Sequence, residues 1–126
     1  MKLTSALKRK AGLIPTEDDE CFDLVAYLQE RQDNGTVCLF THIPNETFTK
    51  YWSVKTKNRM LGVRKGFPDY VVILPTGIKI IEMKRSRGGV VSAEQSEWIE
   101  LLNHFGIETK VCKGFIEAKD FLEDLA

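Results

Sequence analysis

Gly66-Phe67-Pro68-Asp69-Tyr70-Val71-Val72-Ile73-Leu74 runs through Pro75-Thr76-Gly77 into Ile78-Lys79-Ile80-Ile81-Glu82-Met83-Lys84. Turn residues between two apolar runs read as a β-hairpin. With Thr76 and Gly77 as the loop, Pro75 pairs with Ile78 and Asp69 falls opposite Lys84. Side chains alternate along a strand, so Asp69, Glu82 and Lys84 share one face. Asp69 and Glu82 are then diagonal neighbours, about 7–8 Å apart at the backbone and closer at the side chains. Two carboxylates at that distance suit one hard divalent cation. A slip of one residue would put them on opposite faces. An isolated Glu-x-Lys is more commonly a solvated face or a cross-strand ion pair. Here the setting differs: Pro68-Asp69 stands at the mouth of one buried strand and Glu82-x-Lys84 at the exit of its partner.

The charge distribution agrees with a polar centre in this region. The chain of 126 residues fits one domain, residues 1–126, with 43% apolar and 29% charged residues and a formal net charge of zero. The charges are segregated. From Lys50 to Arg87 the only acids are Asp69 and Glu82, set among Lys50, Lys55, Lys57, Arg59, Arg64, Lys65, Lys79, Lys84, Arg85 and Arg87. A basic middle with acidic flanks presents local positive potential to phosphates despite the neutral total. Residues 1–15 carry Lys8, Arg9 and Lys10 and read as a flexible basic arm or a short helix. Cys21, Cys38 and Cys112 show no CxxC spacing and read as free thiols of a reducing compartment. No apolar run is long enough to span a membrane, and no signal-peptide core stands at the N-terminus. A cytoplasmic location is expected, or a nuclear one in a nucleated host.

On either side of the hairpin the periodicity is regular. Thr16 or Asp18 caps a helix to about Asp33, with Cys21, Leu24, Val25 and Leu28 on one face and Glu17 to Glu20 in the first turn. Asn34-Gly35 turns the chain into a strand, residues 36–43, ending at His42 before Pro44-Asn45-Glu46. Residues 47–65 mix aromatics and bases, which suits a nucleic-acid surface; the plainer alternative is a helix whose rings pack inward. After a basic loop, residues 85–91, Ser92-x-x-Gln95 is a capping box that opens a helix to about Phe105 with Trp98, Leu101, Leu102 and Phe105 inward. A last strand over residues 108–112 and a helix over 115–125 complete an α/β chain with a mixed central sheet flanked by helices.

These segments together resemble the VRR-NUC (virus-type replication-repair nuclease) branch of the PD-(D/E)XK nucleases. The resemblance rests on Thr41-His42-Ile43-Pro44-Asn45-Glu46, Lys65-Gly66-Phe67-Pro68-Asp69, Ile81-Glu82-Met83-Lys84, Gly88-Gly89 and Ser92-x-x-Gln95-x-x-Trp98, in the family's order, over roughly residues 17–115. It implies a restriction-endonuclease-like core and a metal-dependent, structure-selective DNA endonuclease. Asp69 and Glu82 are the expected ligands of Mg²⁺ or Mn²⁺. The Met83 carbonyl and a helical acid complete the site by resemblance; Glu20 is the expected acid and Glu17 the alternative. Lys84 is expected to orient the attacking water or steady phosphate charge, and Gln95 to position Lys84 or the water. For Gln95 the capping role competes with the catalytic one. Arg64, Lys65, Arg85 and Arg87 are candidates for the DNA backbone.

Stand-alone members of this size look like homodimeric resolvases of four-way (Holliday) junctions. A flap or single-strand nuclease, a nicking subunit of a replication-repair complex, and a non-catalytic DNA-binding module are the alternatives. No base-reading motif is visible, so recognition of shape and backbone is expected.

Overall fold

The computed structural model describes residues 4–35, 38–44 and 52–123. The described elements are α1 (Ser5–Lys10), α2 (Glu17–Asp33), β1 (Leu39–His42), α3 (Trp52–Met60), β2 (Tyr70–Leu74), β3 (Gly77–Lys84), α4 (Ala93–His104), β4 (Glu108–Lys113) and α5 (Phe115–Leu122). The four strands form one sheet in the order β1-β2-β3-β4. β1–β2 and β2–β3 are antiparallel, whereas β3 and β4 are parallel. A parallel pair needs a crossover, and α4 is that crossover. The architecture is α/β, with a mixed sheet flanked by helices.

Alternation along the strands sorts the two faces. Tyr70, Val72 and Leu74 of β2, Ile81 and Met83 of β3 and Cys112 of β4 point into one core. Leu24 and Leu28 of α2 and Ala118 and Leu122 of α5 close it, with Cys21, Val25, Phe115 and Phe121 packed at its margin. Glu82 lies between Ile81 and Met83 and therefore points to the opposite face, where α4 sits. Thr16 caps α2: its Oγ1 accepts from Asp19 N at 3.1 Å, and Asp19 Oδ2 accepts from Thr16 N at 2.8 Å. Gly106, with φ +82°, follows the α4 C-cap residue Phe105 and stops that helix.

The hairpin register differs from the expected one. Leu74 pairs with Gly77 and Tyr70 with Ile81, so the loop is Pro75-Thr76. Continued by one residue, this register sets Asp69 opposite Glu82 rather than opposite Lys84. The pairing has moved by two positions, which preserves the face of every side chain. Ile78 is exposed at the hairpin end, so little apolar burial is lost by the shift.

Other expectations also change. Residues 52–60 within the basic segment are helical, and residues 5–10 of the arm form α1. On α4, Leu101 and Phe105 are exposed, because that helix touches the sheet mainly at β4 and nothing among the described residues covers its outer side. Cys38 and Cys112 are buried free thiols, whereas Cys21 is half-buried. Glu46, Tyr51 and Leu125 lie outside the described residues. No helix among the described residues is long and apolar enough to cross a membrane.

Candidate active site

The outer end of the β2–β3 hairpin gathers the charged residues of the central motif. Asp69 directly precedes β2, and its Oδ2 accepts the Met83 N–H at 2.8 Å, which anchors it to β3. Its carbonyl accepts the Ile43 N–H at 2.6 Å and lies 2.9 Å from His42 Nδ1, which ties the end of β1 to the same point. His42 thus holds the backbone of Asp69; the structure gives it this positioning contact. Opposite Asp69, Glu82 is 1% exposed. Its Oε2 accepts from Gln95 Nε2 at 2.6 Å and lies 3.2 Å from Lys84 Nζ. Glu82 Oε1 is buried with no hydrogen-bond partner among the described residues.

Gln95 caps α4 and at the same time contacts the Glu82 carboxylate. Its Oε1 accepts the Ser92 N–H at 2.9 Å, closing the capping box, while its Nε2 donates to Glu82. An amide has an acceptor end and a donor end, so one side chain caps α4 and holds the carboxylate. Ser92 Oγ accepts the Gln95 N–H at 3.2 Å and completes the reciprocal pair.

The helical acid beside this cluster is Glu17. Glu17 Oε1 lies 3.9 Å from Lys84 Nζ. Glu20 is buried but engaged elsewhere: it pairs with Arg9 of α1 and accepts the Phe115 N–H at 2.5 Å. Glu20 was the expected acid, and the structure places it at the start of α5 instead. Its apolar-edge position explains its burial but not its direction, which Arg9 and the α5 amide decide.

The loop ahead of Asp69 is clamped to α4. Trp98 Nε1 donates to the Lys65 carbonyl at 3.0 Å, and the Phe67 and Trp98 rings meet edge to face at 5.1 Å. Gly66, at φ +90°, approaches so closely that a Cβ there would stand 2.7 Å from Glu94 Cβ. The Gly66-Phe67-Pro68 motif is therefore a packing device that sets the height of Asp69. The sequence marked Trp98 as part of a helix face and of the Ser92-x-x-Gln95-x-x-Trp98 motif; its spacing of three from Gln95 turns both residues to the hairpin end. Gly89 folds back similarly, with a would-be Cβ 2.9 Å from Lys84 Cβ. Of the expected backbone contacts, Lys65 Nζ lies 3.7 Å from Glu94, whereas Arg64, Arg85 and Arg87 are exposed on the loops flanking the pair. Val63 and Leu61 beside them are also exposed.

The electrostatics are those of a site short of positive charge. Burial, then the nearby Asp69 charge, push the Glu82 carboxyl up to about 7, against the opposing pull of Lys84. Burial likewise raises Asp69, against the Met83 N–H, His42 and Lys84. Glu17 is raised by burial too, with Lys84 opposing. A divalent cation between Asp69 and Glu82 would meet the orphaned Glu82 Oε1 and relieve the repulsion. The described residues contain no cluster of three or more His, Cys, Asp or Glu placed to cage a metal. Mg²⁺ needs no cage: it keeps several waters and typically takes one or two carboxylates along with substrate phosphates. The donor set fits that ion type, with the Met83 carbonyl adjoining Glu82 in the chain.

The VRR-NUC domain model matches residues 18–116. Among solved structures, a VRR-NUC domain protein superposes with a TM-score of 0.69 at 20% identity, covering 90% of this chain and 92% of the other. A second VRR-NUC domain superposes with a TM-score of 0.58 at 22% identity, covering 89% of this chain and 100% of the other. No curated protein sequence matches the chain. The likeness of the solved structures concerns the fold; the family match covers most of the chain. The chain belongs to the VRR-NUC family, a family of nuclease domains.

Proposed function

We propose that this VRR-NUC protein is a metal-dependent, structure-selective DNA endonuclease, acting as a homodimeric resolvase of four-way junctions. The observation that carries the nuclease reading is the pairing of half-buried Asp69 with buried Glu82, whose Oε1 is left without a partner among the described residues beside Lys84 and Gln95. A structural ion pair would be complete; this one lacks a cation's worth of charge. A bound Mg²⁺ or Mn²⁺ supplies a water made acidic enough to attack at neutral pH and charge stabilisation at the phosphate oxygens. Asp69 and Glu82 would hold that ion. Gln95 fixes the Glu82 carboxylate so that Oε1 stays free for it. Lys84, 12% exposed at its side chain, presents a compact cation with movable donors to the attacking water and the scissile phosphate. Glu17 steadies Lys84 from the solvent side. Hydrolysis breaks one P–O bond and leaves the water's proton on the departing oxygen.

The resolvase reading draws on the family's stand-alone members and on symmetry: two symmetric cuts suit a two-fold dimer. The solved neighbours are covered over 92% and 100% of their length by this chain. Backbone and shape recognition suit a protein with exposed bases on α3 and on the loops that flank the carboxylates. The test is cleavage of labelled four-way junction, flap, single-stranded and linear duplex DNA with Mg²⁺ or Mn²⁺, against Glu82→Ala and EDTA controls. Paired symmetric cuts in the junction, lost in both controls, are expected. Cutting mainly of flap or single strand would overturn the resolvase and keep the nuclease. Binding without any metal-dependent cutting would point to a DNA-binding module.

A further inference from the structure

A second cleft, of mixed apolar and charged lining, lies on the other side of the α2 N-terminus from the carboxylate site. It measures about 320 Å³ and is bounded by Arg9 and residues 12–15 of the arm, by Ser86 and Arg87 after β3, and by Lys113 and Gly114 before α5. Glu20 lies at its base. The charges in it are unequal in their commitments. Arg9 pairs with Glu20, the acid of the cleft lining, and is shared with Asp23 outside it. Glu20 Oε2 also accepts the first amide of α5. The Arg87 and Lys113 side chains have no ion pair or hydrogen bond among the described residues and are exposed. Two uncommitted cations from separate segments therefore line one cavity, where they outnumber the single acid that Arg9 already pairs.

The cleft is tied to the catalytic strand. Gly114 donates its N–H to the Lys84 carbonyl at 2.9 Å, so Lys113 is held at the end of β3 by backbone. Ser86 and Arg87 follow Lys84 by two and three residues. On α2, Glu17 approaches Lys84 and Glu20 lines the cleft, three residues apart, so the carboxylate site and the cleft flank the same helix N-terminus.

We propose that this cleft is a phosphate subsite for the nucleic-acid backbone, in which Lys113 and Arg87 hold a phosphodiester of the strand bound at Asp69 and Glu82. The inference rests on the nuclease reading for its ligand but not for its test. Arg87 belongs to the basic loop already considered for DNA; Lys113 and the cleft itself are additional. The wall formed by the arm is held by charge, since α1 buries no residue and docks on α2 through Lys8–Asp19, Arg9–Glu20 and Ser5–Asp23. Arg9 shapes the cleft and silences Glu20, while Lys113 and Arg87 supply the net attraction.

The test is fluorescence anisotropy of a labelled four-way junction and a labelled single strand in EDTA, over a salt series, for the full chain. Lys113→Ala and Arg87→Ala are compared with Lys110→Ala, an exposed β4 lysine outside the cleft. Each cleft variant should weaken binding by about five- to tenfold and flatten the log–log salt slope by roughly one, while Lys110→Ala changes neither. Lys113→Arg should restore the slope. Circular dichroism and melting of each variant exclude a folding defect. Equal slopes and affinities for wild type, Lys113→Ala and Arg87→Ala would overturn the proposal, as would an equal loss in Lys110→Ala. A slope lost in the cleft variants of a protein that cuts no DNA would keep the subsite and sink the nuclease reading.

Discussion

β3 carries two buried charges at its opposite ends, and they differ in how completely they are answered. Lys79 is 4% exposed. Its Nζ donates to the Phe121 carbonyl at 2.6 Å, lies 3.5 Å from Glu108 and sits 4.8 Å from the centre of the Phe121 ring. It closes the C-terminal end of α5, where a cation complements the helix carbonyls. Glu82, three residues along the same strand, keeps one oxygen unpartnered and faces a second carboxylate. Burial alone does not distinguish a structural charge from a functional one. What distinguishes them is whether the surroundings complete the hydrogen bonding and cancel the charge.

Substitution at the two ends should separate these roles. Glu82→Gln is expected to lower metal-dependent cleavage by at least about a hundredfold while leaving the melting temperature equal or higher, since a repulsive pair is relieved. Lys79→Met should do the reverse. It removes a satisfied donor and costs about 1–3 kcal/mol of stability, read by urea unfolding, with cleavage per folded molecule unchanged. A Glu82→Gln protein that melts earlier and cuts normally would erase the contrast.

Titration sharpens the same contrast without mutation. In EDTA, Glu82 holds its proton more tightly folded, with the carboxyl at about 7, than in the unfolded chain near 4.5. Its stabilising contribution is therefore complete below about 4.5 and is lost as pH rises through about 7. The metal-free protein should lose on the order of 1–3 kcal/mol of unfolding free energy across that window. Mg²⁺ or Mn²⁺ should restore it at the upper end, and in Glu82→Gln both the loss and the restoration should shrink. Melting curves from pH 4.5 to 8, with and without metal, check this; a flat profile in the metal-free protein would contradict the strained pair.

The smallest effect separates the two acids of the α2 N-terminal region. Glu17 touches Lys84 from an exposed position, whereas Glu20 is buried against Arg9. Glu17→Gln should lower cleavage by about two- to fivefold with little change in stability. Glu20→Gln should destabilise the docking of α1 and leave the metal-induced rise in melting temperature intact. The opposite assignment, with metal stabilisation lost only in Glu20→Gln, would return the helical-acid role to Glu20.

Parity was legible on the hairpin. Asp69, Glu82 and Lys84 share a face in the expected register and in the observed one, because a shift of two positions leaves alternation unchanged. The capping box at Ser92 and Gln95, the α2 face of Leu24 and Leu28 and the α5 face of Ala118 and Leu122 were legible for a similar reason: each follows from local period or local hydrogen bonding. Leu101 and Phe105 were not. Their spacing matches an apolar face, yet whether a face is covered depends on which layer lies beyond it, and α4 rides on β4 at the side of the sheet.

The amino-acid sequence by itself determined the α/β element types, the face shared by the two carboxylates and the lysine, and the family. These follow from periodicity, turn chemistry and the order of short motifs. Only the tertiary structure decided that Asp69 stands opposite Glu82, that Gln95 serves cap and carboxylate together, that Glu17 rather than Glu20 approaches Lys84, and that Lys113 and Arg87 line one cleft. Each of those depends on groups distant in the chain, and neither helical nor strand periodicity carries information about which distant partner arrives.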